Sequence, residues 1–329
     1  MNRRYFNRAL AGALVAASSD ALCQQAAKAT SIYRIGVLSL THFGNTTLAK
    51  VLVKPLEARG LIVGRDIAFD ERTAEGNAER LPSLAAELVL LNVDLIVAGP
   101  AAAIRAAHDA TTTIPIVMAF SGDDPVTSGF VTSLARPGGN VTGVTAQVRD
   151  LAPKWMELLR DVLPGITRIA VLTNPGRPEH LQYMKTLAAV RPPGVVLQTA
   201  EARGPDEYEA AFAAMSLARA NALIILGDVA FSRDSGKLAA LALAHRLPSI
   251  YLFRAFVVSG GLLAYGPDEA QLLELAALYI DKILKGANPA DLPVEQPTRF
   301  RLAINQTTAR TLGLTIPESV RLRADEVVQ

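Results

Sequence analysis

Along most of its length the sequence alternates between short apolar runs, each closed by small polar residues, and longer stretches with helical spacing. In the first half the runs are Arg34–Ser39, Ile67–Arg72, Asp94–Ala98 and Ile116–Phe120. They are nearly continuous in apolar character, as strands are when helices cover both faces of a sheet. The stretches between them read as helices over Asn45–Arg59, Asn77–Leu91 and an alanine-rich segment ending at Ala110. Leu81, Leu84, Ala85, Leu88 and Leu91 fall on one helical face. Gly60 is placed to stop the first helix, and Pro55 is expected to kink or divide it. A β-α-β-α-β-α-β order of this kind implies a parallel sheet wrapped by helices.

The rhythm then starts again. Trp155, Leu158, Leu159 and Val162 give Leu151–Leu163 one apolar helical face. Strands follow at Arg168–Leu172, Gly194–Ala200, Ala222–Leu226, Ser249–Tyr251 and Leu262–Tyr265. Helices are expected up to Val190, over Asp206–Arg219, over Ser232–Arg246 and, briefly, over Arg254–Ser259. A long helix at Asp268–Lys285, a proline-containing connector at Asn288–Pro297, a strand at Arg301–Ile304, a short helix at Thr307–Gly313 and a mostly extended tail complete the chain. With 329 residues the protein exceeds one ordinary core. The fold class expected is α/β, with two similar lobes, each a parallel sheet wrapped by helices, and a break near Thr145–Leu151.

The N-terminus reads separately. Arg3, Arg4 and Arg8 precede an apolar run, Ala9–Ala17, and small residues lead to Cys23. This is the layout of a secretory signal over residues 1–23, too short to span a membrane. Arg3-Arg4-Tyr5-Phe6 allows a twin-arginine route beside the general secretory one. Cys23 is the one cysteine, so no internal disulfide and no cysteine-based metal site or catalysis is expected. The net charge of +2 comes from scattered residues, which gives no footprint for nucleic acid. His42, His108, His180 and His245 show no metal-ligand spacing and read as surface or loop residues, and no metal or cofactor is expected. Gly138-Gly139 with Gly143 is not a dinucleotide fingerprint, and neither a P-loop nor a nucleophile elbow occurs, so no catalytic residues are assigned.

Open α/β sheets hold ligands at the carboxyl ends of their strands. That rule selects the loops Ser39–Gly44, Gly99–Ala102, Phe120–Asp124, Thr173–Gly176 and Gly227–Ala230, where helix N-termini also suit a carboxylate. Ser39, Thr41, His42, Gly99 and Pro100 come from the first two loops. Ser121 either donates its hydroxyl to an anion or bonds its own turn. Asp123, beside Asp124, lies in the same loop and reads equally as an ordinary turn residue. Asn174 either reaches a ligand or holds the Asn-Pro turn. Asp228 is delivered by a buried strand and either pairs with an ammonium group or caps the next helix. Tyr265 could stack on an apolar part of a ligand, whereas Phe253 reads as core.

Several stretches resemble one family. They are Ala74–Pro82 (AEGNAERLP), Val93–Val97, Ile114–Val117, Ser133–Gly143 (SLARPGGNVTG), Gly260–Gly266 (GGLLAYG), Asp281–Ala287 and Leu292–Pro297 (LPVEQP). They resemble the substrate-binding proteins of ABC transporters, most of all the tryptophan/tyrosine-type binding proteins, over about Arg34 to Val328. The resemblance implies a type I periplasmic-binding fold. Lobe 1 would hold 31–145 plus 266–296, and lobe 2 would hold 146–265 plus 297–329. It implies an exported, periplasmic, monomeric, non-enzymatic protein that traps a small molecule, such as an amino acid or related carboxylate, by lobe closure. The partner implied is an ABC permease in the inner membrane; a ligand-binding partner of a membrane sensor is the alternative. In related amino-acid binders an Asp at a comparable strand end holds the ligand amine, which makes Asp228 the matching residue.

Overall fold

The structure, a computed structural model, describes residues 32–42, 47–146 and 148–329. The expected signal segment and Cys23 lie outside the described residues, as do Phe43–Thr46.

Among the described residues the strands form two sheets. In the first are β1 (Tyr33–Ser39), β2 (Ile67–Thr73), β3 (Leu95–Gly99), β4 (Ile116–Met118) and β5 (Val141–Gly143), in the order β2-β1-β3-β4-β5 and all parallel. Alternate residues feed opposite faces, as the strand period requires. Ile35, Val37, Leu95, Val97 and Val117 pack under α1 (Leu48–Glu57) and a long helix from later in the chain. Leu38, Ile96, Ala98, Ile116 and Met118 pack under α2 (Leu81–Leu90) and α3 (Ala101–Ala110).

The chain then enters the second set. This comprises α4 (Ala152–Val162), β6 (Arg168–Thr173), α5 (Glu179–Val190), β7 (Val196–Glu201), α6 (Tyr208–Leu217) and β8 (Ala222–Ile225), followed by α7 (Val229–Arg233), α8 (Ser235–Ala244), β9 (Ser249–Tyr251), α9 (Arg254–Val258) and β10 (Leu263–Pro267). α10 (Glu269–Leu284) returns to the first sheet, where Ala276, Ala277, Tyr279 and Ile280 are buried. β11 (Phe300–Asn305), α11 (Gln306–Leu312), α12 (Glu318–Arg321) and β12 (Glu326–Val328) close the second sheet. Its order is β12-β11-β10-β9-β8-β6-β7, parallel except for β10 against β11. The run β7-β6-β8-β9-β10 repeats the β2-β1-β3-β4-β5 order of the first sheet.

The chain passes between the sheets after β5, after β10 and before β11. Two of these passages are tied to each other: the Glu295 N–H donates to the Gly143 carbonyl (3.0 Å), and the Thr145 N–H to the Glu295 carbonyl (3.0 Å). Gly143 has φ +124°, and a Cβ there would stand 2.4 Å from the Met118 carbonyl oxygen, so the first passage requires glycine.

Several elements depart from the sequence reading. α1 is a single helix despite Pro55, because the proline falls near its C-terminal end and removes only one late hydrogen bond. The helix expected from Ser232 starts instead at Val229, capped by Asp228, and breaks at Asp234, where α7 gives way to α8. The tail is not merely extended: Pro317 leads α12, and β12 pairs with β11. His180 is neither a surface nor a loop residue; it lies in α5 and is 2% exposed.

Candidate ligand-binding cleft

A cavity of about 350 Å³ opens where the carboxyl ends of the strands of the two sheets face each other. In a β2-β1-β3 arrangement the crevice lies between the ends of β1 and β3, where the connections run in opposite directions. Ser39 ends β1 and Gly99 ends β3, and both line the cavity. The corresponding point of the second sheet lies between β6 and β8, and it supplies Arg177, Gly227 and Asp228. The cavity therefore sits at the switch points of both sheets at once.

Of the residues selected from the sequence, Ser39, Thr41, His42, Gly99, Pro100, Asp123 and Asp228 line this cavity. Ser39 Oγ lies 3.1 Å from Thr73 Oγ1, and the Thr41 hydroxyl donates to the His42 carbonyl at 3.0 Å. Gly99, Pro100 and Ala101 bring the start of α3 to the wall, and no side chain among the described residues caps that helix. Its leading N–H groups are thus oriented toward the cavity end of the sheet.

Three selected residues are not on the wall. Ser121 is fully buried; its hydroxyl accepts from the Asp123 N–H (3.3 Å) and faces the Asp123 carbonyl (3.4 Å), so it serves the turn and not an anion. Its carbonyl accepts from the Ala146 N–H at 2.7 Å, which ties the β4 loop to the first passage between sheets. Tyr265 stacks on Phe300 (centroids 6.0 Å apart, planes at 22°), and its carbonyl accepts from the Trp155 indole N–H at 2.8 Å, so its ring serves packing beside the passage. Asn174 stands one step behind the wall: its Oδ1 accepts from the Gly176 N–H (2.9 Å) and its Nδ2 donates to Asp228 Oδ2 (3.2 Å).

Asp228 is on the wall, but its carboxylate is engaged. Oδ1 accepts from the N–H groups of Ala230 (2.7 Å) and Phe231 (3.2 Å), which makes it the cap of α7. Oδ2 receives Asn174 and lies 4.0 Å from Arg177 Nε. Of the two sequence readings of Asp228, the helix cap is the one its hydrogen bonds display; no ammonium partner is needed to satisfy it. Arg177 in turn pairs with Glu179 at 2.5 Å, while its buried Nε has no hydrogen-bond acceptor among the described residues. Behind this group, His180 accepts from the Asn174 N–H at Nδ1 (2.9 Å), which leaves Nε2 to donate to the Gly227 carbonyl (3.2 Å). Burial holds His180 below the ordinary histidine pKa, against the raising pull of that carbonyl and of Asp228.

The two sides of the cleft touch through Tyr183. Its hydroxyl donates from α5 to the Gly122 carbonyl at 3.2 Å, with Asp123 Oδ1 at 3.4 Å. Much of the remaining wall is apolar. Phe120 and Phe253 meet at 5.7 Å with planes at 54°, and Leu48, Leu252, Leu272 and Leu273 surround them. Phe253, read from the sequence as core, is only partly buried and faces the cavity. Arg177 and Glu269 also line it, and neither was selected from the sequence. Arg177 lies one residue past the Thr173–Gly176 loop, whereas Glu269 follows β10, at a passage between sheets that the strand-end rule does not cover.

A family model described as ABC transporter substrate binding protein matches residues 35–328. The chain belongs to that family. The substrate-binding protein is 26% identical over 296 residues to the tyrosine-binding protein of Clostridioides difficile, a match covering 89% of this chain and 83% of that one. Among solved structures it resembles a conserved domain protein from Vibrio cholerae, with TM-score 0.83, 28% identity and coverage of 90% of this chain and 100% of that one. It also resembles an ABC domain from Streptococcus pneumoniae in complex with L-Trp, with TM-score 0.81, 26% identity and coverage of 91% and 100%. The resemblance read from Ser133–Gly143 and Leu292–Pro297 is thereby confirmed at the level of family and fold. Among the described residues no helix is long and apolar enough to cross a membrane, and no three His, Cys, Asp or Glu side chains are grouped to hold a metal.

Proposed function

We propose that this substrate-binding protein works outside the cytoplasmic membrane, captures an aromatic amino acid between two closing lobes and delivers it to an ABC permease. In this reading lobe 1 comprises 31–145 with 266–296, and lobe 2 comprises 146–265 with 297–329. The observation that carries the reading is the composition of the cavity wall: an apolar, aromatic-lined space with charged groups of both signs at its edges. Sites of this kind fix orientation with a few polar groups and derive affinity from the apolar walls. The aromatic body would lie between Phe120, Phe253, Leu272 and Leu273. The carboxylate would meet the uncapped start of α3 at Gly99-Pro100-Ala101, with Ser39 and Thr41 beside it, and Arg177 opposite. The names of the tyrosine-binding and L-Trp-bound relatives support the same ligand class.

Closure follows from ligand contacts that only the closed form completes, since a ligand touching both lobes favours the arrangement in which both sets of contacts exist. The test is a thermal-shift screen of the purified protein against the natural amino acids, aliphatic or aromatic acids lacking the amine, and a set of sugars and polyols. The reading predicts the largest upward shifts for tyrosine, tryptophan or phenylalanine. A screen in which sugars or polyols alone stabilise the protein would refute it.

A further inference from the structure

The charged groups of the cavity wall differ in how they are satisfied. Asp228 caps α7 and receives Asn174. Glu179 is held by Arg177 and Asp123 lies against Tyr183. Arg233 is paired with Asp234 at 3.2 Å. Glu269 is different: among the described residues it has no hydrogen bond and no ion pair, although it is partly buried and lines the cavity. The nearest cation that acts on it, Arg254, is committed to Glu326 through both of that residue's carboxylate oxygens. The neighbouring Asp268 is likewise committed, to Arg301 at 2.9 Å and to the Ala270 N–H at 3.1 Å.

A carboxylate partly withdrawn from water without a partner carries a cost, and a cation from solution reduces that cost when it docks. The surroundings of Glu269 restrict which cation fits. Leu272 and Leu273 follow on the same helix, and Phe253 and Ala255 come from the β9–α9 segment; all four line the same cavity. A bare metal ion would need several oxygen or nitrogen ligands, and no such group exists among the described residues. A primary ammonium on an apolar body needs only one carboxylate and an apolar wall.

We propose that Glu269 takes the ammonium group of the ligand, so that the cavity selects amines with an apolar body over the corresponding acids that lack the amine. This rests on the reading of the cavity as a site for an aromatic amino acid and adds the residue that discriminates within it. Two further features agree. Burial pushes the Glu269 carboxyl above its ordinary pKa, against the lowering pull of Arg254, as expected of a site that awaits a positive charge. Glu269 also opens α10, directly after the chain leaves β10 of the second sheet for the first. A ligand held there touches a passage between the sheets, where it can bias their relative arrangement.

The experiment is calorimetric, with competition for weak ligands. L-phenylalanine, L-tyrosine and L-tryptophan are compared with 3-phenylpropionate, 3-(4-hydroxyphenyl)propionate and indole-3-propionate, on wild type, Glu269→Gln and Glu269→Leu. The readout is the ratio of affinities of each amino acid to its amine-free analogue, which cancels effects of folding on the site as a whole. Loss of a charge-assisted hydrogen bond should lower that ratio by about 10- to 100-fold in both variants. The Leu variant, which removes the polar group altogether, guards against a Gln side chain that finds a new partner. Wild-type protein that binds amino acids, with the folded Leu variant keeping the wild-type ratio, overturns the role of Glu269 alone. Wild-type protein that binds none of the six compounds overturns the reading of the cavity and the role of Glu269 together.

Discussion

Replacing Asp228 separates structure from recognition at the cleft. In Asp228→Ala, the N–H groups of Ala230 and Phe231 lose their acceptor, and Asn174 Nδ2 loses its 3.2 Å partner. A helix cap is worth about 1 kcal/mol, with a range of about 0.5–2. The bond from Asn174 to a charged acceptor adds a further contribution, reduced because water from the cavity can replace part of it. The expected loss is about 2–3 kcal/mol, or about 3–5 °C in melting temperature for a protein of this size. Asp228→Asn keeps an oxygen for the two N–H groups, and asparagine caps helices as well as aspartate; the expected loss is about 1 kcal/mol or less. Because the carboxylate is engaged by the protein itself, Asp228→Asn should also leave the affinity for an aromatic amino acid within about threefold of wild type. The assays are urea and thermal unfolding followed by circular dichroism, and calorimetric titration. If Asn were as destabilising as Ala, the capping role would be refuted. If Asn folded normally but lost binding by a hundredfold, Asp228 and not Glu269 would be the amine partner.

Two other outcomes follow from the geometry. Gly266→Ala should destabilise by about 3 kcal/mol or more, since the new Cβ would stand 2.1 Å from the Leu252 carbonyl oxygen and force β10 away from a backbone that cannot yield cheaply; an unchanged melting temperature would contradict it. His180 is held neutral by burial, so its folded pKa lies below the unfolded value of about 6.5. Between these values the unfolded chain binds the additional proton, so this stability contribution is intact above about pH 6.5 and is lost as pH falls through the window below it. Urea midpoints measured from pH 8 to pH 5 should therefore fall more steeply for wild type than for His180→Gln, and equal slopes would refute the role of His180.

Much of this architecture could be read in the sequence because buried parallel strands declare themselves. Val37-Leu38, Ile96-Val97 and Ile224-Ile225 feed both faces of a sheet at once, in short β-branched-rich runs closed by turn residues. The loops after those strands then pointed to Ser39, Gly99, Pro100 and Asp228, all of which line the cavity. What the sequence left open was side-chain direction. Of the two readings of Ser121, its hydroxyl takes the turn, bonding Asp123 two residues on. Tyr265 is adjacent to a passage between sheets, yet its ring faces Phe300. Glu269 does not stand out because an acidic residue in the first turn of a helix is ordinary in sequence; the commitment of Arg254 to Glu326 leaves it without a partner among the described residues. The helix expected from Ser232 is interrupted at Asp234, whose carboxylate accepts from the Tyr208 hydroxyl at 2.9 Å across a span that local propensity does not see.

The most direct test of the account is isothermal titration of the protein with L-tyrosine and L-tryptophan at several temperatures. Saturable binding of one ligand per chain is expected for at least one of them, with a negative heat-capacity change from burying the aromatic body against Phe120 and Phe253. Absence of heat and of competition with any aromatic amino acid, from protein shown to be folded and free of ligand carried through purification, would contradict it.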